Sequence, residues 1–198
     1  MPRKNRDLHG NVPDKSPLAL LLIDVINDLE FEGGARLLPH ALAMAHKLAR
    51  LKQRAYDNNV PVIYVNDNFG KWRSDFSAQV RHCLDDGVRG EPLVRLLQPT
   101  ERDYYILKAK HSGFFATPLA ILLDHLQAKT LILTGIAGDN CVLFTAHDAY
   151  LREFELLVPS DCVASASETR NAAALAQLRE LVKADTRAST RIRFSLST

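Results

Sequence analysis

Long hydrophobic runs are missing from this 198-residue chain. The longest unbroken aliphatic stretch, Leu18 to Ile23, is far short of the roughly 20 residues that a membrane-spanning helix needs, so no membrane association is expected. Charge of one sign is missing too. Lys and Arg number 25 against 23 Asp and Glu, a formal +2, and the basic residues are scattered, so no nucleic-acid partner is expected. Cysteine is scarce: Cys83, Cys141 and Cys162 are odd in number and widely spaced, which fits neither a disulfide framework nor a zinc knuckle and points to a reducing, cytoplasmic home. The first sixteen residues hold Arg3, Lys4 and Arg6 but no apolar core of signal-peptide length; they read as a polar leader, residues 1–16, before one domain at 17–198. There is no GxGxxG, P-loop, HExxH or GxSxG, which removes support for dinucleotide, nucleotide, zinc-peptidase and serine-hydrolase sites.

What is present is an alternation of short apolar runs with longer amphipathic stretches. It predicts an α/β fold, doubly wound, with a six-stranded, mostly parallel sheet and helices on both faces. The expected strands are Leu18 to Ile23, Val60 to Val65, Asp103 to Leu107, Thr130 to Thr134, Glu155 to Pro159 and Arg191 to Phe194. Leu37, Ala41, Met44, Leu48, Leu51 and Ala55 recur at three- and four-residue spacing and form the buried face of a helix. A second helix is expected from Thr117 as N-cap with Pro118 next. Ser165 and Glu168 offer a capping box for a last helix that buries Leu175, Leu178 and Val182. The stretch 66–102, rich in Gly and Pro, reads as a lid.

In doubly wound folds the ligand crevice lies beyond the carboxyl ends of the strands. Asp24 follows the first strand there and Lys108 the third. After the fourth comes Gly135-Ile136-Ala137-Gly138-Asp139-Asn140-Cys141, which places Cys141 in the first turn of the next helix. Unpaired N–H groups and the helix dipole at such a position favour the thiolate. Cys83 and Cys162 read as small buried hydrophobes. His147 is turned about 240° from Cys141 along that helix, and Asp148, back on the same face, is about 10 Å further along the axis. The partner of the thiol must therefore come from another strand, and Asp24 fits. His111 remains as a pocket residue close behind a strand end.

Three separated blocks resemble the isochorismatase-like cysteine hydrolases: Leu20 to Asp24 with Asn27, Lys108 to Leu119, and Thr134 to Val142. The resemblance implies an Asp24, Lys108 and Cys141 triad, with Lys108 preferred over Lys110 because it stands four residues before Ser112 in the pattern K-x-x-x-S-G-F. It also implies a three-layer, Rossmann-like α/β/α fold, a non-proline cis peptide at Ile136–Ala137, an oxyanion hole from the amides of Ala137 and Cys141, and a homo-oligomer, dimer or tetramer. The implied chemistry is cleavage of a small amide through a Cys141 thioester, Asp24 acting as acid and base and Lys108 as electrostatic support, with no cofactor.

Nicotinamidases of this family carry an Asp-x-His metal motif where this chain reads Asn66-Asp67-Asn68, so no metal is expected. Near the rim, Phe31, Asn66, Asn68, Phe69, Trp72 and Phe115 are candidates for substrate contact, Trp72 foremost. Two other readings stay open: vinyl-ether hydrolysis by Asp24 alone, as isochorismatases perform it, and an inert family member that binds or scaffolds.

Overall fold

A computed structural model describes residues 15–194 of the chain. Leader positions 1–14 lie outside the described residues. Ser16, assigned to the leader, is instead buried: its N–H donates to the Leu126 carbonyl at 2.9 Å and its hydroxyl accepts from the Leu18 N–H at 3.2 Å.

Six strands form one sheet: β1 (Leu18–Ile23), β2 (Val62–Asp67), β3 (Tyr104–Lys108), β4 (Thr130–Ile136), β5 (Glu155–Leu157) and β6 (Val163–Ala164). Their order is β3-β2-β1-β4-β5, with β6 also pairing β4, and every one of these pairings is parallel. The helices are α1 (Gly34–Asp57), α2 (Phe76–Asp85), α3 (Glu91–Leu96), α4 (Leu119–Leu126), α5 (Leu143–Tyr150) and α6 (Glu168–Leu181).

All six residues of β1 are buried, because successive side chains leave a strand on opposite faces and helices cover both. Leu18, Leu20 and Leu22 pack with Tyr64 and Ile132 against α1, α2 and α3. Ala19, Leu21 and Ile23 pack with Ile63, Val65 and Leu133 against α4, α5 and α6. The result is the expected α/β/α sandwich. On α1 the predicted face, Leu37, Ala41, Met44, Leu48, Leu51 and Ala55, is buried throughout. Each large aliphatic side chain there contributes about 2 kcal/mol as an upper figure.

Four local expectations are corrected. No strand forms at 191–194: Ser189–Arg191 is a single 3₁₀ turn, and the Arg54 guanidinium takes the Ser189 and Ile192 carbonyls at 2.9 and 2.6 Å. The sixth strand is Val163–Ala164, opposite Gly135 and Ile136. The cap of α6 is Ser167, whose hydroxyl accepts from the Arg170 N–H at 3.3 Å; Ser165 Oγ accepts instead from the Asp139 N–H at 3.1 Å. Helix α4 starts one residue later than expected, with Pro118 at the cap position.

The segment 66–102 is not a free lid. It folds into α2 and α3, whose Phe76, Cys83, Leu93 and Val94 join the α1-side core. It also braces the loop that follows β1. The Gly90 N–H donates to the Asp28 carbonyl at 2.8 Å, and the Arg89 N–H donates to Glu30 Oε1 at 2.8 Å. A Cβ on Gly90 would lie 1.8 Å from the Asn27 carbonyl oxygen, so only glycine permits this approach.

Candidate active site

Parallel register aligns the carboxyl ends of the central strands. Ile23 stands opposite Val65 and Gly135, and Asp67 stands opposite Lys108. Asp24, one residue past β1, turns the chain with φ +52°, a left-handed conformation that aspartate tolerates better than most residues. Gly135, opposite Ile23 across the sheet, has φ +109°, and a Cβ there would meet the Ile23 carbonyl oxygen at 2.1 Å. The Ile136–Ala137 peptide that follows is cis, and Gly138–Val142 then forms a π-helical turn carrying Cys141.

Lys108 is the hub. Its Nζ lies 2.9 Å from Asp24 Oδ2, 3.4 Å from Asp67 Oδ2 and 3.5 Å from Cys141 Sγ, with its side chain wholly buried. Asp24 Oδ1 accepts from the Asp67 N–H at 2.6 Å. His111 Nδ1 is 3.9 Å from the same sulfur. The loop after β3 is fastened to the turn that carries Cys141 and to α5: the Gly113 N–H donates to Thr145 Oγ1 at 3.0 Å, Thr145 Oγ1 donates to the Cys141 carbonyl at 2.7 Å, and Ser112 donates to Asp148. This accounts for the S-G part of the K-x-x-x-S-G-F pattern, since a Cβ on Gly113 would press to 2.7 Å from Val65.

Burial pushes the Asp24 carboxyl above its ordinary range, against the opposing pull of the Lys108 ammonium and of hydrogen bonds from Cys141, Lys108 and the Asp67 N–H. Burial pulls Lys108 down, but the charges of Asp24, Cys141 and Asp67 outweigh it and hold the ammonium above the usual lysine value. The Cys141 thiol is pushed up to about 12, first by burial and then by the Asp24 charge, with Lys108 opposing. The expected lowered thiol is thus corrected. Desolvation and an adjacent carboxylate outweigh the start of the helix, and Cys141 rests as a thiol beside Asp24. Cys83 and Cys162 are buried as expected, and burial likewise pushes each up to about 12.

A cavity of about 920 Å³ opens above this cluster. Asp24, Ala137 and Cys141 line it, as do two of the six expected contact residues, Phe31 and Phe69. The other four are not among its lining residues. Asn66 is fully buried and holds the Ile26 backbone, accepting from its N–H at 3.2 Å and donating to its carbonyl at 2.6 Å. Asn68 accepts from the Gly70 N–H at 3.0 Å. Trp72 is 77% exposed and Phe115 59%, both directed to solvent. Lys110 is exposed, and His147 Nδ1 bonds within its own helix to the Leu143 carbonyl at 2.8 Å.

Sequence reasoning passed over Asp67, Arg36 and the Arg170–Asp139 ion pair, which closes at 2.8 Å on the cavity wall. Asp67 alone had a usable signal, since it ends the strand that neighbours Lys108. Among the described residues, no three of His, Cys, Asp and Glu are grouped so as to hold a metal ion. No described helix is long and apolar enough to cross a membrane.

The family model for the isochorismatase domain matches residues 18–189. The chain is 39% identical over 171 residues to the uncharacterized isochorismatase family protein YaaI of Bacillus subtilis, covering 86% of this chain and 93% of that one. It is 29% identical over 151 residues to maleamate amidohydrolase of Pseudomonas putida, 73% of this chain and 71% of that one. The solved N-carbamoylsarcosine amidase of Thermoplasma acidophilum shares the fold with a TM-score of 0.68 at 23% identity, over 89% of this chain and 98% of that one. Together with the parallel sheet and the Asp24, Lys108 and Cys141 cluster at its rim, these matches place the chain in the isochorismatase family of cysteine hydrolases.

Proposed function

We propose that the protein is an amidohydrolase that cleaves a C–N bond of a small non-peptide amide through a thioester on Cys141. The observation that carries this reading is the position of Lys108 Nζ, 2.9 Å from a buried carboxylate and 3.5 Å from a thiol at the edge of a cavity. Asp24, made more basic by burial, takes the Cys141 proton as Sγ attacks the amide carbonyl carbon. Lys108 stays charged throughout and stabilises the sulfur as it becomes anionic. The amides of Ala137 and Cys141, both residues of the cavity wall, receive the tetrahedral oxyanion, a role in which one donor is worth roughly a hundredfold in rate. Asp24 then gives its proton to the departing nitrogen, the C–N bond breaks, and water hydrolyses the thioester to a free acid and the thiol. No step calls on a cofactor.

A curated relative supports the reaction class by its name, maleamate amidohydrolase. The test is a panel of small amides and carbamoyl compounds assayed with wild type, Cys141→Ala and Asp24→Asn. Each substitution is expected to lower turnover by about a thousandfold or more. A slow substrate should leave its acyl group on the Cys141 peptide in mass spectra. Full activity of Cys141→Ala, above all on a vinyl ether, would overturn the thioester and leave hydrolysis to Asp24.

A further inference from the structure

The structure gives the water-consuming half of this reaction a second candidate base, and we propose that His111 is the catalytic residue for thioester hydrolysis. The inference rests on the Cys141 thioester proposed above. Its ground is an asymmetry around the sulfur. Asp24 is 5% exposed, and both its oxygens are engaged, Oδ2 by Lys108 at 2.9 Å and Oδ1 by the Asp67 N–H at 2.6 Å. Asp24 shares the cavity wall, but both its oxygens already accept from protein donors and little of its surface is open to water. His111 is exposed, lines the cavity and has Nδ1 3.9 Å from Sγ. Its ring rests against Phe144, centroids 5.4 Å apart, so its orientation is supported by packing.

In the acyl-enzyme the carbonyl carbon is bonded directly to Sγ, and the attacking water arrives from the cavity. Neutral His111, protonated on Nε2, accepts one proton from that water at Nδ1 as the oxygen bonds to the acyl carbon. When the C–S bond breaks, the same Nδ1–H passes its proton to the departing sulfur. Thioester and water become carboxylic acid and thiol, and His111 ends as it began. The resemblance gives this step to Asp24; the geometry divides the labour, with the carboxylate serving acylation and the imidazole serving hydrolysis.

The probe is p-nitrophenyl acetate, whose acyl transfer to a thiol releases nitrophenolate without needing a proton on the leaving group. In stopped-flow absorbance, His111→Gln is expected to keep a burst of one equivalent per Cys141 while the steady rate that follows falls about thirtyfold to a hundredfold. The acetyl group should accumulate on the Cys141 peptide. Added imidazole should speed the loss of the acetyl group from the Cys141 peptide of isolated acetylated His111→Ala, with no ester present, which a merely structural role would not allow. The retained burst reports that the variants are folded. An unchanged steady rate in both variants, or a burst and steady rate that fall together, overturns the assignment. A burst that survives Cys141→Ala, or a wild type that releases no nitrophenolate, fails the thioester reading itself and the His111 role with it.

Discussion

Lys52 and Lys108 are both buried beside an aspartate, and they flank the two ends of β3. Lys52 Nζ lies 3.3 Å from Asp103, the residue before that strand, and Lys108, its last residue, lies 2.9 Å from Asp24. Around Lys52 every polar atom finds a partner. Nζ donates to Tyr64 Oη at 2.6 Å and to the Gln98 carbonyl at 2.8 Å, and Asp103 accepts from Tyr56 Oη at 2.6 Å and from the Thr100 N–H at 2.7 Å. Lys108 faces two carboxylates and a thiol at the wall of a cavity. Burial lowers Lys52 below its ordinary value even with Asp103 beside it, whereas the surplus of negative groups raises Lys108. A buried ion pair by itself therefore does not mark a site. The marks are an excess of one charge, a nucleophile within reach and access for a ligand.

The widest separation between the two lysines comes from replacing each with methionine. Lys108→Met should lower turnover per folded molecule by about a thousandfold, measured on whichever amide the panel identifies. Lys52→Met should leave that turnover unchanged and cost about 3 kcal/mol of stability in denaturant unfolding, because Asp103 keeps its charge without its cation. If Lys52→Met instead lost activity at full stability, the two ends of β3 would share one function and the contrast would collapse.

A smaller effect separates the three thiols. Asp24→Asn removes the negative charge that, after burial, most raises Cys141, so its thiolate gains and its alkylation by iodoacetamide near pH 8.5 should quicken by about tenfold, one pKa unit. Cys83 and Cys162, also pushed up to about 12, have no contact with Asp24 and should not respond in peptide mapping. The smallest change is Tyr64→Phe, which deletes the hydroxyl that accepts from Lys52 and donates to the Leu97 carbonyl at 2.6 Å. It should cost about 1 kcal/mol in unfolding and nothing in turnover.

What could be read from the chain was whatever is periodic or lies at a strand end. The α1 face followed from its 3.6-residue spacing, and Asp24, Lys108 and Cys141 converge because parallel register aligns the residues after each strand. What could not be read depends on partners distant in sequence. Ser165 and Ser167 are equally good caps locally, and the Asp139 N–H and the Asn171 side chain, brought close by the fold, draw Ser165 away. Residues 191–194 have the composition of a strand, yet Arg54 takes the Ile192 carbonyl, and that of Ser189 just before them. The direction of Trp72 and the ionisation of Cys141 are both tertiary properties, the first set by a turn and the second by burial beside Asp24.

Gly90 lies far from the sulfur in sequence and is not part of the cavity wall, yet its bare α-carbon rests on the backbone of Asn27 and Asp28. Four residues further on, the same loop carries Phe31 into the cavity. Any side chain at position 90 must drive that loop outward by more than an ångström, so the width of the pocket is governed from behind, by a residue no substrate touches. Selection for a differently sized substrate thus has a lever in the α2–α3 segment, on the side of the loop away from the ligand.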